Sequence, residues 1–313
     1  MEVSCSKCSG DAVIYLPYGN ENLCRRHFVE SFEKRVRRTV REFGMIKKGD
    51  KVGVAVSGGK DSISMLHMLK NICDSMRLEL AALSVDEGIN RYREGTLKVA
   101  KENCRKLGVE HKILTFKKEI GVTVDEIACK DERMRTCSYC GVFRRWILNK
   151  AAREMGLNKL AVGHNLDDAA QTVLMNFLRN EPFRLARFGP IGGVVEHEFF
   201  VDRIKPLIRI PEREVAVYSI IKGMGIKFGR CPYAHEAFRN EVRVFLNEVE
   251  ENFPGTKFRV FNSFMSVKDA IGGKFNTDET LMKCKECGEL SSHEVCMRCQ
   301  MLKDLRSKRG KCL

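Results

Sequence analysis

Two sets of metal-ligand side chains lie near the two ends of this chain of 313 residues, which contains 14 cysteines. Each set consists of two close pairs: the ligands are Cys5, Cys8, Cys24 and His27 in the first set, and Cys284, Cys287, Cys296 and Cys299 in the second. A pair with two residues between its members can hold one metal ion from a tight turn, and two pairs complete a tetrahedron. Because a closed tetrahedron leaves no coordination position open, we expect two structural Zn²⁺ sites.

Three further cysteines, Cys137, Cys140 and Cys231, belong to neither set and indicate a reactive site. The first two form a Cys-x-x-Cys segment before a predicted helix, whose dipole favours thiolates. Cations that would lower the thiol pKa lie nearby in the sequence, at Arg133, Arg135, Arg144 and Arg145. Three thiolates can hold a [4Fe–4S] cluster that leaves one iron open for an exogenous sulfur. The alternative is a persulfide on one cysteine and a disulfide with another, and the spacing leaves both open.

A phosphate-binding loop is indicated at residues 57–62, Ser-Gly-Gly-Lys-Asp-Ser, between a predicted strand and a predicted helix. Two glycines let backbone N–H groups face outward, and the helix N-terminus adds donors and the positive end of a dipole. The loop is too short for the Walker pattern. Lys60 can neutralise phosphate charge, and Ser57 and Ser62 can donate hydroxyl hydrogen bonds. Asp61 is expected to contact Mg²⁺, with a role in the helix dipole as the alternative.

A second polar segment, Gly163-His164-Asn165-Leu166-Asp167-Asp168, follows another predicted strand. The carboxyl ends of parallel strands share one edge of the sheet, so this segment is expected beside the phosphate loop. Its two aspartates also fall in the first turn of the next helix, where capping explains one of them. Asp86 ends the second strand and could meet the adenosine, an expectation that depends on its position alone.

The segments around these motifs alternate between strand and helix patterns. Short apolar runs predict strands over 52–56, 78–85, 109–116 and 159–163, and apolar residues at helical spacing predict helices over 62–73, 94–107, about 138–155 and about 166–179. This alternation indicates an α/β fold with a doubly wound parallel sheet. The predicted units are a zinc-binding module over 1–30, a catalytic domain over 31–270 and a second zinc-binding module over 271–313, after a glycine-containing stretch at 269–274.

The chain is strongly basic, with 55 Lys and Arg against 41 Asp and Glu and a formal net charge of +14. This surplus favours a polyphosphate partner such as RNA. Residues 25–51 contain ten basic and four acidic side chains, which predicts either a contact with the tRNA backbone or a solvated basic helix. The apolar runs are too short to span a membrane and the N-terminus lacks a signal-peptide pattern, so a cytoplasmic protein without a membrane partner is expected.

The motifs together resemble a known family. Residues 57–62 are similar to the loop of the PP-loop ATP pyrophosphatases, which have an adenine nucleotide alpha-hydrolase-like fold and leave an adenylate on their substrate. With the Cys-x-x-Cys-Gly segment, the Gly-His-Asn-x-Asp-Asp segment, the distant Cys-Pro and the terminal ligand sets, the chain resembles the archaeal and eukaryotic tRNA uridine 2-thiolation enzymes. Residues 140–145 and 174–179 look closer to the branch that modifies the wobble uridine U34 than to the branch that modifies U54 in the T loop.

This resemblance implies an ATP-dependent tRNA sulfurtransferase that releases AMP and pyrophosphate. O2 of the target uridine would attack the α-phosphate of Mg²⁺-bound ATP, and sulfur would then replace that oxygen at C2. The implied catalytic set is Cys137, Cys140 and Cys231 as ligands of a [4Fe–4S] cluster, with Asp61, Asp168 and, in a role left open, Arg144. The expected ATP-binding residues are Val54, Ala55, Val56, Ser57, Gly58, Gly59, Lys60, Asp61, Ser62, Asp86, Gly163, His164 and Asp168.

The implied partners are tRNA and a sulfur donor, either the thiocarboxylate of a ubiquitin-like carrier or inorganic sulfide, and a homodimer is left open. A 2-thiocytidine enzyme shares the loop and the cluster but lacks the terminal zinc modules. Amidation, as in GMP synthetases or lysidine-forming tRNA enzymes, would use the same loop but leaves the three reactive cysteines unexplained. A non-catalytic RNA-binding zinc protein, with ATP as a regulatory ligand, is the alternative of a different class.

Overall fold

A computed structural model of the chain describes residues 3–130, 136–192, 199–229, 231–233, 238–275 and 281–307. The predicted flanking cations Arg133 and Arg135 lie outside the described residues. The chain begins with an antiparallel hairpin, β1 (Ala12–Leu16) and β2 (Glu21–Cys24), which is followed at once by α1 (Arg25–Glu42). Three residues on one face of α1, Phe28, Phe32 and Val36, are completely buried, so this helix packs on the core.

The central sheet contains six strands: β3 (Lys51–Ala55), β4 (Glu79–Asp86), β5 (Glu110–Thr115), β6 (Lys159–Ala161), β7 (Ile191–Gly192) and β8 (Asp202–Ile204). Their spatial order is β5-β4-β3-β6-β8-β7, with β7 antiparallel to β8 and all other pairs parallel. The chain runs from β3 outward to β4 and β5 and then returns to the other side of β3. The predicted doubly wound sheet is therefore confirmed, and its order reverses between β3 and β6.

Helices and two apolar clusters enclose this sheet. The helices of this region are α2 (Lys60–Met76), α3 (Arg93–Leu107), α4 (Phe116–Ile120), α5 (Val124–Lys130), α6 (Thr136–Glu154), α7 (Leu166–Leu178), α8 (Pro182–Ala186) and α9 (Glu212–Ile221). Alternate residues of a strand face opposite sides of the sheet. On β4, Ala82 belongs to the cluster with α2 and Leu83 to the cluster with α6.

The remaining elements pack at one end of the sheet and on α6. They are α10 (Arg239–Asn252), α11 (Thr256–Phe275), β9 (Met282–Lys283), β10 (Leu290–Ser291) and α12 (Met297–Ser307). The glycine-containing stretch at 269–274 is not a linker, because it forms the end of α11, which is held against α7 and α8 by buried Phe261 and Phe264. The predicted unit boundary at 270 falls inside this helix. Within the described ranges, no helix combines the length and the hydropathy that crossing a bilayer requires.

Candidate functional site

The loop after β3 has a backbone that requires glycine at one position. Gly58 adopts a positive φ of 88°, and a Cβ there would lie 1.9 Å from the carbonyl oxygen of Thr96 on α3. The Ser62 hydroxyl accepts hydrogen bonds from the N–H groups of Ser57 (3.1 Å) and Gly58 (3.2 Å) and donates to the carbonyl of Gly59 (3.0 Å). Ser62 therefore braces the loop through its hydroxyl group, and its predicted contact with phosphate stays a prediction.

The charged residues of the loop lie at the N-terminus of α2, whose first-turn N–H groups have no intrahelical acceptor. Lys60 Nζ donates to Asp61 (2.9 Å) and to Glu212 (2.7 Å). Burial acts to lower the pKa of Lys60, but the two carboxylates outweigh it, so the pKa is raised and the side chain is cationic. The other oxygen of Asp61 accepts a hydrogen bond from the side-chain amide of Asn165 at 2.9 Å, which joins the loop after β3 to the loop after β6.

The loop after β6 approaches the phosphate loop closely. A Cβ at Gly163 would lie 3.1 Å from the backbone nitrogen of Ser62. Asn165 and Asp168 form a capping box at the start of α7: the Asp168 N–H donates to the Asn165 side chain (3.0 Å), and the Asn165 N–H donates to the Asp168 carboxylate (3.2 Å). Burial raises the pKa of Asp168 to about 6, although Arg239 acts to lower it.

The neighbouring Asp167 has a different role. Its carboxylate is buried, forms an ion pair with Lys257 of α11 and accepts a hydrogen bond from the backbone of Glu212 at 2.7 Å. The first of the two aspartates therefore holds helices together, and the second remains beside Asp61. His164 lies in the same loop after β6 with an exposed side chain, and desolvation by the surrounding protein and then the cations Lys205 and Arg239 lower its pKa to about 3. The imidazole is neutral at pH 7.

A cleft of about 1010 Å³ opens over these loops. Its lining includes Lys60 and Asp61, Tyr18 next to the N-terminal hairpin, and Phe258 of α11. The volume lies at the upper end of the range of small-molecule sites and is sufficient for a nucleotide. Asp86, at the end of β4, accepts a hydrogen bond from the N–H of Gly88 at 2.9 Å and thus shapes the turn after the strand.

The three central thiols lie beside the cleft, and none of them is among the described residues that line it. The Cys137 thiol donates to the carbonyl of Tyr233 at 3.1 Å, which ties the start of α6 to the segment of Cys231. Cys140 and Cys231 pack against the same apolar cluster as Tyr92, which does line the cleft.

The prediction that nearby cations lower the thiol pKa values is wrong for two of these residues. Burial raises the pKa of Cys140 to about 12, despite the opposing effect of Arg144, and it also raises the pKa of Cys231. Both are neutral thiols at pH 7 unless a metal supplies positive charge. Among the described residues, ligand atoms all within 4.8 Å of one another occur in the two terminal sets and not in this one. Three soft donors at wider spacing fit a polynuclear cluster better than a single ion.

Two residues that the sequence did not single out connect the phosphate loop with the thiols. Arg93 donates to the carbonyl of Ser57 at 2.5 Å and forms an ion pair with Glu87 at 2.7 Å. The side chains of Arg93 and Glu87 are each 6% exposed, and the second carboxylate oxygen of Glu87 lies 3.6 Å from Arg144, the arginine beside Cys140. A signal was present in the sequence, since an acidic residue at the end of an apolar strand requires a partner when it is buried.

The terminal sets have the compact geometry of single-ion sites. In the first, His27 Nδ1 lies 3.4 Å from the sulfur of Cys5 and 3.5 Å from that of Cys24, and Cys8 lies 3.8 Å from Cys24. In the second, Cys287 and Cys296 are 3.6 Å apart, within a small cluster that also contains Cys284 and Cys299. Four N/S donors at this spacing suit tetrahedral zinc.

Comparisons with known proteins agree with this arrangement. Residues 29–249 match the PP-loop domain family, and residues 4–29 match the N-terminal LIM domain of the 2-thiouridine synthetase TtuA. The tRNA 2-thiolation protein NcsA of Haloferax volcanii is 35% identical over 320 residues, which cover 97% of this chain and all of that protein. The chain belongs to the PP-loop family of tRNA 2-thiolation proteins.

The names of other members of this tRNA 2-thiolation family specify different modified positions in tRNA. The tRNA-5-methyluridine(54) 2-sulfurtransferase of Pyrococcus horikoshii is 35% identical over 298 residues, covering 95% of this chain and 93% of that protein. The solved structure of the U34-tRNA thiolase NcsA from Methanococcus maripaludis with its [4Fe-4S] cluster is 34% identical, has a TM-score of 0.82 and covers 96% of both chains.

Proposed function

We propose that this chain is a tRNA 2-thiouridine synthetase that adenylates the wobble uridine U34 with ATP and then inserts sulfur at C2. The observation that carries the proposal is the series of contacts from the Ser57 carbonyl through Arg93 and Glu87 to Arg144. These contacts join the loop that would activate the uridine oxygen to the thiols that would present sulfur. The named activities of relatives that cover nearly the whole chain support the same reaction class.

The phosphate loop would bind ATP through the first turn of α2. Negative phosphates would compete with Glu212 for Lys60, and Asp61 would turn to a phosphate-bound Mg²⁺. The N–H groups of Lys60 and Asp61 face the same end of the helix. The wider set of ATP-binding residues, from Val54 to Asp168, stays a prediction from the sequence.

The two chemical steps balance without a redox reagent. Uridine O2 attacks the α-phosphorus, the new O–P bond forms, and pyrophosphate leaves as the N3 proton is taken up. Asp168, with a pKa of about 6, is ionised at pH 7 and could accept that proton. A sulfide then adds to C2 and AMP departs with the former O2, while Asp168 returns its proton to N3.

Cys137, Cys140 and Cys231 would hold the [4Fe–4S] cluster, which when bound keeps a sulfide deprotonated and available as the nucleophile. Arg144 lies between Cys140 and Glu87 and would balance the negative charge of metal-bound thiolates. The two terminal sets would each hold one structural Zn²⁺. We also propose a cytoplasmic enzyme that takes sulfur from inorganic sulfide or from a thiocarboxylate carrier. A homodimer is compatible with the proposal but is not required by it.

The assignment to U34 is supported by two segments and by the solved relative. Residues 140–145 form part of α6, beside the thiols, and residues 174–179 end α7, where Phe177 and Leu178 are 56% and 62% exposed and thus available to RNA. The second candidate is the same chemistry at U54, which the Pyrococcus horikoshii relative favours.

The decisive experiment uses anaerobically purified, cluster-replete protein with ATP, sulfide and two matched tRNA transcripts. One transcript carries U at position 34 and C at position 54, and the other carries C at position 34 and U at position 54. We expect 2-thiouridine, measured by mass spectrometry of the nucleosides, from the first transcript only, and none with a Cys140→Ser variant. Thiolated product from the second transcript only would show that the target is U54 and not U34. Thiolated cytidine would indicate a 2-thiocytidine enzyme, and no thiolated product from either tRNA would favour the RNA-binding alternative.

A further inference from the structure

A group of cations that have no carboxylate partner among the described residues lies one strand beyond the nucleotide loops. Four side chains form this cation cluster: Arg145 on α6, Arg203 on β8, Lys205 just after β8, and Lys268 on α11. An Arg203 guanidinium nitrogen donates to the carbonyl of Arg145 at 3.2 Å. Lys205 Nζ donates to the carbonyl of Gly189 at 2.6 Å, and the Cε of Lys268 lies 3.0 Å from the Cβ position of the same glycine.

None of these four side chains has a carboxylate within 4.0 Å among the residues that the structure describes. Lys205 is nevertheless only 9% exposed. Burial, and then the neighbouring cations, lower the pKa of Arg203 to about 10 and that of Lys205 to about 8. Like charges that are crowded and partly removed from water cost stability, and such arrangements are typical of sites that receive an anionic ligand.

The basic helix α1 provides a contrast within the same molecule. Its arginines largely have carboxylate partners, with Arg35 paired to buried Glu214, Arg37 to Glu33, and Arg38 to Glu42. The charge of Arg35 is neutralised by a buried carboxylate, and the charges of the exposed Arg37 and Arg38 are partly offset by acidic neighbours, so the basic sequence of α1 overstates its attraction for RNA. The cation cluster keeps its charge available for an external anion.

The position of the cluster indicates which anion it would bind. The N–H of Val162 donates to the carbonyl of Ile204 at 2.9 Å, which places Lys205 at the carboxyl edge beside the loop of His164. Because β6 separates β8 from β3, the cluster lies about two strand spacings, roughly 10 Å, from the phosphate loop. This is too far to share the phosphates bound at α2, but it is near enough to hold a group next to a base in the cleft.

We propose that Arg145, Arg203 and Lys205 form a subsite for backbone phosphates of the substrate RNA that flank the target uridine. The proposal rests on the function proposed above for its choice of RNA as ligand. Arginine and lysine donors would replace the water and counterions of the phosphates, and the bound charge would remove the repulsion among the three cations. The subsite would orient the RNA strand without reading its sequence.

Binding of a fluorescently labelled, unmodified tRNA to the protein, measured by anisotropy from ~50 to ~200 mM salt without ATP or sulfide, tests this subsite. Removing one cation that neutralises a phosphate of a single-stranded loop should lower the slope of log Kd against log salt by about 0.7. We therefore expect a decrease of about 0.7 for Arg203→Gln and about 1.4 for the double variant Arg203→Gln/Lys205→Met. Arg145→Gln, which changes an exposed side chain, is an independent variant with the same expected decrease as Arg203→Gln.

Arg209→Gln is the matched control, because this arginine is already paired with Glu42 at 2.7 Å and should leave the salt slope unchanged. ATP affinity, measured by calorimetry, should equal that of the wild type in every variant. An unchanged salt slope in both Arg203→Gln and Arg145→Gln would overturn the subsite, and so would weaker ATP binding with unchanged tRNA binding. If the variants lower the salt slope but the wild-type protein makes no 2-thiouridine, the proposed enzymatic function is refuted and the RNA-binding subsite is retained.

Discussion

The ion pair between Arg93 and Glu87 offers the sharpest test of how the two halves of the site are joined. Both side chains are 6% exposed and lie 2.7 Å apart, and Arg93 also holds the Ser57 carbonyl of the phosphate loop. Removing one partner of a buried ion pair typically costs about 3–5 kcal/mol. In Glu87→Gln the amide oxygen still accepts a hydrogen bond, and Arg93 keeps its hydrogen bonds to backbone carbonyls, so we expect a smaller loss of about 2–3 kcal/mol.

Urea unfolding gives this loss directly, as a decrease in the midpoint of about 1 M. Because Arg93 would then hold Ser57 less firmly, we also expect the dissociation constant of ATP to rise about tenfold, which corresponds to about 1.4 kcal/mol. Asp74→Asn is the matched control: it removes the partially exposed partner of Lys70 at 2.6 Å and should cost at most about 1 kcal/mol. Equal midpoints and equal ATP affinities for the two variants would refute the coupling of loop and thiols through Glu87.

Three further changes have defined outcomes. Gly58→Ala should abolish ATP binding in calorimetry, because its Cβ would overlap a backbone carbonyl of α3. Gly95→Ala on that helix is the control: its Cβ would have open space, so this variant should keep ATP binding and gain about 0.5–1 kcal/mol of stability. The pKa of about 6 at Asp168 predicts that kcat/KM for adenylation falls as the pH decreases through 6, since protonation removes the ionised carboxylate. If the pH profile of Asp168→Asn shows the same fall at low pH, the titrating group is not Asp168. Cys299→Ser, which removes one ligand of the proposed C-terminal zinc site, should speed hydrogen exchange at the start of α6. Cys104→Ala, which changes a buried thiol outside both ligand sets, should not. Equal exchange rates in the two variants would exclude a role for the C-terminal module in holding that helix.

The repeating strand and helix patterns predicted most of the central sheet. The strand predicted over 52–56 is β3, observed at Lys51–Ala55, and the helix predicted over about 138–155 is α6, observed at Thr136–Glu154. Such elements are long enough for hydrophobic periodicity to be visible. The edge strand β7 and its neighbour β8 contain two and three residues, and no apolar run in the sequence predicted them.

The residues that the sequence could not identify act through partners far along the chain. Glu212 shares Lys60 with the phosphate loop across 152 residues, and Lys257 neutralises Asp167 across 90 residues. The local sequence pattern carries no information about such pairs, since only the packing of distant helices brings them together. The prediction of lowered thiol pKa values was wrong for a related reason. The charges near Cys140 were visible in the sequence, whereas the burial that outweighs their effect on its pKa was not.

The last described helix has a consequence for how the protein matures. On α12, Asp304 accepts a hydrogen bond from the hydroxyl of Tyr139, and Leu305 is buried in the same cluster as Phe143, so this helix supports the face of α6 next to the thiols. A ribosome releases α6 well before α12. In the nascent chain Cys137 and Cys140 would therefore precede the helix that supports them, and the iron–sulfur site proposed for them would be complete only after α12 has been synthesised and has docked.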